Sequence, residues 1–189
     1  IKALGDIDLK SRLDELPATG AFVRELDDAM LRGEIDCSVN SLKDIPIDMD
    51  KDLVIGAMFE RDDPRDVILP CPLEDLPKGA KVGTASVRRE SILRELRPDL
   101  VIEPLRGNIH TRLARLDAGD FDAIILAKAG LDRMGIQREM HVLDDSVFIP
   151  APAQGIIAVE CRKDDGEMRE KLLRIDSRAS RLMAGRSAA

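Results

Sequence analysis

Apolar positions along the chain switch repeatedly between helical and extended spacing. Between positions 21 and 31, four apolar side chains recur at helical spacing and share one face: Phe22, Leu26, Ala29 and Met30. Gly33 follows as a stop signal. This pattern predicts an amphipathic helix near the start of the chain.

Short apolar runs bounded by polar residues, Gly or Pro predict strands at 37–39, 53–59, 81–84, 100–104, 123–127 and 156–161. Helices are predicted at 86–96 and 109–118, and from 166 toward the C-terminus. Strands that alternate with helices favour an α/β fold with parallel sheets joined by crossovers. The run AIILA at 123–127 is typical of a strand buried inside such a sheet.

Two segments have the composition of connectors between lobes: ERDDPRD at 60–66 and IPAPAQG at 149–155. They assign 61–154 to one lobe, and they leave 1–60 with 155–189 as a discontinuous second lobe. Two lobes joined by two crossing segments predict a hinged cleft, a natural site for a small ligand.

Composition excludes several function classes. The chain of 189 residues is 44% hydrophobic and 34% charged, which is typical of a globular protein. No apolar run approaches the ~20 residues that span a bilayer, and the first residues lack a signal-peptide pattern. We therefore expect a cytoplasmic protein without membrane association.

Nucleic-acid binding and metal binding are both disfavoured. The chain has no Trp or Tyr and a net charge of −7, so it lacks stacking platforms and a general polyanion-binding surface. The three cysteines, Cys37, Cys71 and Cys161, are far apart, and there are two histidines. A zinc site needs about four clustered ligands, so we predict no metal and idle thiols in a reducing compartment.

One stretch reverses the overall charge. Between 81 and 115 there are eight basic residues against four acidic ones, a local excess of four positive charges. An acidic protein with one basic stretch is better suited to a small anion than to a duplex.

The motif NSLKDIP at 40–46 follows a predicted strand, where open α/β sheets bind ligands. Asp44 beside Lys43 could form a proton relay in a cleft, because a carboxylate there stabilises a cation and exchanges protons. The alternative interpretation is a loop carboxylate that caps a turn.

Three further motifs place cations and hydroxyls after predicted strands. In GTASVRRES, Thr84 and Ser86 would face an anion at a helix N-terminus. Arg88 and Arg89 in the first helical turn oppose the helix dipole, which favours a carboxylate-binding role for their forked guanidinium groups. Two later motifs, LRGNIHTRL and AKAGLDRMG, contribute the remaining candidates: Arg106, Arg112 and Arg133. The alternative is a solvated basic helix.

Several ordered motifs together resemble the porphobilinogen deaminase (hydroxymethylbilane synthase) family. They are NSLKDIP, FERDDPRDVIL, GTASVRR, RPDLVIEPLRGNIHTRL, LDAGDFDAIILAKAGLDRMG and PAPAQGIIAVECR, in family order and at compatible spacing. The resemblance implies three domains, the first two similar to the type II periplasmic-binding-protein fold around a cleft. The partners that it implies are porphobilinogen and oligopyrroles, bound to a monomer.

The activity implied by this resemblance is condensation of four porphobilinogen molecules, with loss of ammonia, on a dipyrromethane primer held by a cysteine thioether. Asp44 matches the family's catalytic carboxylate, which would stabilise azafulvene and pyrrolium cations and move protons. The positions that match binders of acetate and propionate side chains are Ser41, Lys43, Thr84, Ser86, Arg88, Arg89, Arg106, Arg112 and Arg133.

The sequence departs from the family pattern in several places. Asn40 stands where the family usually has His, and the loop PATG carries Thr19 where Lys is common. Neither the first strand–helix unit nor the third domain, with its cofactor cysteine, is recognisable in these 189 residues. None of the three cysteines lies in a GGC-type loop, so we expect these residues alone to be inactive.

Three function classes remain open at this point. The chain is a piece of a working deaminase, or a non-catalytic deaminase-related module that binds small polycarboxylates. The third is the effector-binding domain of a transcription regulator, which shares the fold and would need a helix-turn-helix segment upstream.

Overall fold

The computed structural model describes residues 23–187. They form two compact units, one made of 23–62 and 152–187 and the other of Asp63–Ala151. The division between the units falls at 62–63 and at 151–152. Phe22 of the first predicted helix and Thr19 of the PATG loop lie outside the described residues.

The helices and strands are, in chain order, α1 (Arg24–Leu31), β1 (Cys37–Ser41), β2 (Leu53–Met58), β3 (Asp66–Leu69), β4 (Lys81–Gly83), α2 (Val87–Leu96), β5 (Val101–Glu103), α3 (Ile109–Asp117), β6 (Ala123–Ala127), α4 (Lys128–Arg133), β7 (His141–Val142), β8 (Ile157–Arg162), α5 (Gly166–Leu173) and α6 (Arg178–Ser187). Single 3₁₀ turns span Leu42–Asp44 and Leu73–Asp75. The fold is mixed α/β, as the alternation of patterns predicts.

The first unit is built on a three-stranded sheet in the order β1-β8-β2, and both pairings are antiparallel. The expectation of a parallel sheet is wrong here. Strand β8 starts beside the ends of β1 and β2, because Leu42 N and Phe59 N donate to the carbonyls of Ile156 and Ile157. A chain that returns from that side must run opposite to both neighbours.

The second unit contains a five-stranded sheet in the order β5-β4-β6-β3-β7. Strand β4 pairs in parallel with β5 and β6, as expected, whereas β3 pairs antiparallel with β6 and β7. The strands β3 and β7 were not predicted. The buried run of β3 follows directly on a charged segment, and β7 is only His141–Val142, too short for a periodic signal.

Strand β6 forms the centre of the second unit's core. Ala123 and Ile125 pack in one apolar cluster, and Ile124 and Leu126 in another, so both faces of the sheet are covered. This confirms the prediction of a buried strand from AIILA. Burial of each of the large side chains among them, Ile124, Ile125 and Leu126, stabilises the fold by roughly 1.5–3 kcal/mol.

The end of the described chain differs from the prediction. The helix expected to continue from 166 ends at Leu173, and α6 starts at Arg178. Between them, Asp176 Oδ1 accepts a hydrogen bond from Met58 N at 2.8 Å, and Ser177 N donates to Met58 O at 2.7 Å. This long-range attachment to the end of β2 breaks the helix without any Gly or Pro.

Gly155 is expected to be intolerant of a side chain. Its φ is +91°, and a Cβ would lie 2.5 Å from the carbonyl oxygen of Asp62, whereas a Cβ at Gly79, with φ of +78°, would meet nothing within 4 Å. Gly155→Ala should therefore lower the free energy of unfolding by about 1–3 kcal/mol more than Gly79→Ala. Urea unfolding followed by circular dichroism measures the difference. Equal losses in the two variants would show that the close approach to Asp62 carries no cost.

Candidate anion-binding site

The carboxyl ends of three parallel strands meet at one edge of the second unit's sheet. The register pairs Gly83 at the end of β4 with Glu103 at the end of β5 and with Ile124 in β6. Beyond that register, Thr84 N donates to Glu103 O at 3.0 Å, so the loops after β4 and β5 run side by side. Gly83 permits this approach, because a Cβ there would lie 2.8 Å from Leu105 Cδ2. Ligands of α/β sheets bind at such an edge.

Two helices begin at this edge with side-chain caps. Ser86 Oγ accepts a hydrogen bond from Arg89 N at the start of α2, and Asn108 Oδ1 accepts from Thr111 N at the start of α3. Thr84 Oγ1 in turn accepts from Ser86 N at 3.2 Å. The caps fix where both helices start, and the N-terminal ends of helices favour negative charge nearby.

Arg106 and Arg112 belong to the same edge. Arg106 follows β5 and is only 5% exposed, so its guanidinium is enclosed by the protein. Arg112, in the first turn of α3, donates from Nε to Gly107 O at 2.7 Å. The predicted residues Thr84, Ser86, Arg106 and Arg112 thus lie on adjacent loops and helix starts.

Arg133 lies elsewhere in the second unit. It is the last residue of α4 and is exposed, whereas the beginning of that helix adjoins the carboxyl end of β6. Six helical residues span about 9 Å, so the position of Arg133 along α4 removes its backbone from the sheet edge. Its role in carboxylate binding stays a prediction.

Arg88 and Arg89 converge on a carboxylate, Asp66, that was not among the predicted site residues. Asp66, the first residue of β3, is completely buried and accepts from Arg88 Nη2 at 2.6 Å and from Arg89 Nη2 at 2.7 Å. Arg88 also donates to Ile149 O, and Arg89 donates to Ile125 O at 3.0 Å. A charged residue at the start of a fully buried strand was the available signal, but it lay within a segment interpreted as a connector.

The negative charge of Asp66 attracts both guanidinium groups and offsets the repulsion between them. Burial raises the pKa of Asp66, but the charges of Arg89 and Arg88 and their hydrogen bonds outweigh it, and the pKa lies below its ordinary value. Asp66 is therefore ionised and compensates the two arginines. In addition, Arg89 Nε is buried and has no hydrogen-bond partner among the described residues.

Ser41, Lys43 and Asp44 lie together in the first unit. Ser41 ends β1, and Lys43 and Asp44 belong to the 3₁₀ turn that follows. Lys43 Nζ donates to the Oε1 of Gln154 at 3.2 Å, and the backbone oxygen of Gln154 accepts from Arg61 Nε at 2.9 Å. Gln154, which is 1% exposed, was not predicted, and it attaches the turn to the second crossing segment.

Asn40 takes part in a buried polar chain beneath that turn. Its Nδ2 donates to Glu160 Oε2 at 2.8 Å and to Ser38 Oγ at 2.9 Å. Glu160 is completely buried in β8, and its Oε1 has no hydrogen-bond partner in the described part of the chain. Asn40, which departs from the family pattern, therefore supplies a donor to a carboxyl group that would otherwise be less satisfied.

Burial is the main reason that the pKa of Glu160 is raised to about 7. The hydrogen bonds from Asn40 and Ser38 lower it, and the negative charge of Asp27 raises it further. Asp27 itself has a pKa raised to about 6 by burial and by the charges of Asp28 and Asp50. Two coupled acids in the first unit thus titrate near neutral pH.

Among residues 23–187, no three His, Cys, Asp or Glu side chains gather in a way that could hold a metal ion. None of the helices described in that range is both long enough and apolar enough to cross a bilayer.

Comparison with protein families decides the relationship. The model for "Porphobilinogen deaminase, dipyromethane cofactor binding domain" matches residues 1–170. The chain belongs to the porphobilinogen deaminase family.

Curated members of the family are similar over nearly all of the chain. The porphobilinogen deaminase of Xanthomonas axonopodis pv. citri is 48% identical over 182 residues, which cover 94% of this chain and 60% of the relative. The porphobilinogen deaminase of Syntrophobacter fumaroxidans is 49% identical over 176 residues, covering 91% and 57%. The chain thus spans about 60% of the length of the curated relatives it matches.

Among solved structures, the chain is similar to the periplasmic VFT2 domain of BvgS from Bordetella pertussis. The TM-score is 0.49 and the identity 16%, with 87% of this chain and 72% of that chain covered.

The donor set at the sheet edge fits the cofactor named in the family description. A dipyrromethane of this family carries carboxylate side chains, and guanidinium groups, hydroxyls and helix N-termini are the groups that bind carboxylates. Thr84, Ser86 and Arg106 supply all three kinds within two adjacent loops. The orphaned Nε of Arg89 adds a buried donor in the same helix start.

Replacing Asp66 should be costly. Asp66→Asn would leave the buried Arg89 and the neighbouring Arg88 without a counter-charge, so we expect a loss of about 3–5 kcal/mol in the free energy of unfolding. The control is Asp117→Asn, which removes the exposed partner of Arg138 and should change little. Denaturant titrations of the three proteins make the comparison. A loss for Asp66→Asn no larger than that for Asp117→Asn would contradict a structural ion-pair role.

The buried acid Glu160 predicts a pH-dependent stability. Because the pKa of Glu160 is raised to about 7 in the folded state, its stabilising contribution is complete below its ordinary pKa and is lost as the pH rises toward 7. Glu160→Gln should therefore remove a decline on the order of 2–4 kcal/mol between about pH 5 and about pH 8. The titration of Asp27 remains in that variant.

Thermal or urea unfolding across this pH range measures the effect, with the exposed Glu170→Gln as the control in the same unit. A Glu160→Gln profile parallel to that of the unchanged protein would show that Glu160 does not titrate in this range.

Proposed function

We propose that this chain is the cofactor-binding part of a porphobilinogen deaminase, which condenses four porphobilinogen molecules into hydroxymethylbilane with release of ammonia. The observation that carries the proposal is the match of residues 1–170 to the family's cofactor-binding domain. The guanidinium, hydroxyl and helix-start donors at the edge of the second unit's sheet, which suit a carboxylate, support it.

In this proposal, Thr84, Ser86, Arg106 and Arg112 hold acetate and propionate groups of the cofactor and of the growing product. A charge-assisted hydrogen bond to a buried guanidinium contributes about 1.5–3 kcal/mol, so a few such contacts retain a polycarboxylate through repeated additions. When bound, the dipyrromethane supplies the pyrrole carbon to which each new unit is joined.

Arg88 and Arg89 have two roles in this proposal. Their ion pairs with Asp66 fix the first turn of α2. Their other N–H groups contribute, to a lesser extent, to carboxylate binding. Ser41 and Lys43 orient the turn that carries Asp44. Lys43 does so through its hydrogen bond to the buried Gln154. We extend carboxylate binding to Ser41, Lys43 and Arg133 on the family resemblance alone.

Asp44 is the proposed catalytic residue. It ends an exposed turn, where a carboxylate can approach a bound substrate. Its negative charge would stabilise the positive charge that develops on a pyrrole nitrogen as ammonia leaves, and its oxygens would accept and return the proton. Neither task requires it to bind the substrate's own carboxylates.

The proposal is tested with the protein encoded by the whole gene. Asp44→Asn should lower the turnover of porphobilinogen by about 100-fold or more, the range typical of a lost acid–base group, while affinity for the substrate changes little. Asp48→Asn, a change of another exposed carboxylate close by, should leave turnover unchanged. Hydroxymethylbilane formation and calorimetric binding are the two readouts.

Unchanged turnover in Asp44→Asn would refute the catalytic assignment. An unaltered whole-gene product with no turnover and no covalent dipyrromethane by mass spectrometry would instead favour the non-catalytic binding module.

A further inference from the structure

Two of the three cysteines lie directly opposite each other in the first unit. The antiparallel register of β1 and β8 pairs Cys37 with Cys161. In the same register Leu42 N donates to Ile156 O, which marks that pair as hydrogen-bonded. Because hydrogen-bonded and non-hydrogen-bonded pairs alternate along antiparallel strands, Cys37 and Cys161, five positions further, form a non-hydrogen-bonded pair.

This kind of pair has the spacing that a disulfide needs. The Cα atoms of a non-hydrogen-bonded pair are about 4.5 Å apart, and disulfides join Cα atoms about 4.4–6.8 Å apart. Directly opposite side chains also leave the sheet on the same face. Cys37 accordingly packs against the apolar cluster that contains Cys161, Ala57, Val159 and Leu172.

The two thiols differ in access to solvent. Cys161 is completely buried, whereas Cys37 is partly exposed near one end of the strand pair. Burial, assisted by the charge of Asp165, raises the pKa of the Cys161 thiol, which keeps it protonated and unreactive toward oxidants in solution. An oxidant would therefore reach Cys37 first.

We propose that Cys37 and Cys161 are a reversible redox pair that closes into a cross-strand disulfide within one chain. With a peroxide, the Cys37 sulfur attacks one peroxide oxygen and becomes a sulfenic acid, and hydroxide leaves. The Cys161 thiol then gives up its proton as its sulfur attacks the Cys37 sulfur, the S–O bond of the sulfenic acid breaks, and the departing hydroxide takes up that proton and leaves as water. The balance is two thiols and one hydrogen peroxide to one disulfide and two waters.

The bond would tie β1 to β8 close to the buried chain of Ser38, Asn40 and Glu160. Since β1 leads directly into the Leu42–Asp44 turn, closing the pair restrains the strand that presents the turn. Because the Cα atoms of a non-hydrogen-bonded pair are typically about 4.5 Å apart, near the lower limit for disulfides, the bond should be readily reduced by a dithiol. This redox proposal does not depend on the proposed deaminase activity.

The test follows the thiols of the folded protein. The protein and a Cys71→Ser variant are treated with hydrogen peroxide, denatured, alkylated and digested, and the peptides are weighed. We expect both proteins to yield a Cys37 peptide joined to a Cys161 peptide within one chain, and dithiothreitol to restore both thiols. In Cys37→Ser, alkylation of Cys161 should remain complete, because no neighbouring sulfur is available.

Complete alkylation of Cys37 and Cys161 after peroxide treatment would overturn the proposal. Disulfide-linked peptides that always contain Cys71, or that link two chains, would overturn it as well. Peptide mapping of the unaltered protein gives this answer even if a variant fails to fold. The bond forms in the folded state if the oxidised and reduced proteins have the same circular dichroism spectrum. A bond found only in unfolded protein counts against the pair.

Discussion

The start of helix α2 in the second unit depends on one buried carboxylate, that of Asp66. Asp66 accepts hydrogen bonds from both Arg88 and Arg89, and so it holds two cations in the first turn of α2, where the helix dipole opposes them. The same contacts join the start of β3 to α2 and, through Arg88, to the carbonyl of Ile149. Without the negative charge of Asp66, burying the guanidinium groups of Arg88 and Arg89 would destabilise the fold. With it, Arg88 and Arg89 are balanced by a counter-charge within the fold.

The secondary structure was predictable where local signals are strong. The wholly apolar AIILA predicts β6, and the helices predicted at 86–96 and 109–118 are α2 and α3. The antiparallel first sheet was not predictable, because β8 joins β1 and β2 after a separation of about a hundred residues. The break before α6 has the same origin, since it depends on the contact of Asp176 with Met58.

The candidate site residues differ in the same way. Thr84, Ser86, Arg106 and Arg112 were predicted because they belong to motifs that follow a strand and place donors at a helix start, and their part in binding stays a prediction. Asp66, Gln154 and Glu160 escaped notice because their importance lies in distant partners: two arginines, Lys43 and Asn40. The substitution of Asn40 for the family's usual His is a departure in sequence that becomes interpretable only with Glu160 beside it.

We expect the sheet edge to bind carboxylates through Arg106 rather than through a general positive surface. A calorimetric titration of the protein with a small polycarboxylate such as citrate, at low and at high salt, tests this expectation. Arg106→Ala should weaken binding by about 10-fold to 100-fold, the equivalent of one charge-assisted hydrogen bond, at both salt concentrations. The exposed Arg94→Ala should have little effect. Equal affinities of the unaltered protein and of Arg106→Ala would contradict the account.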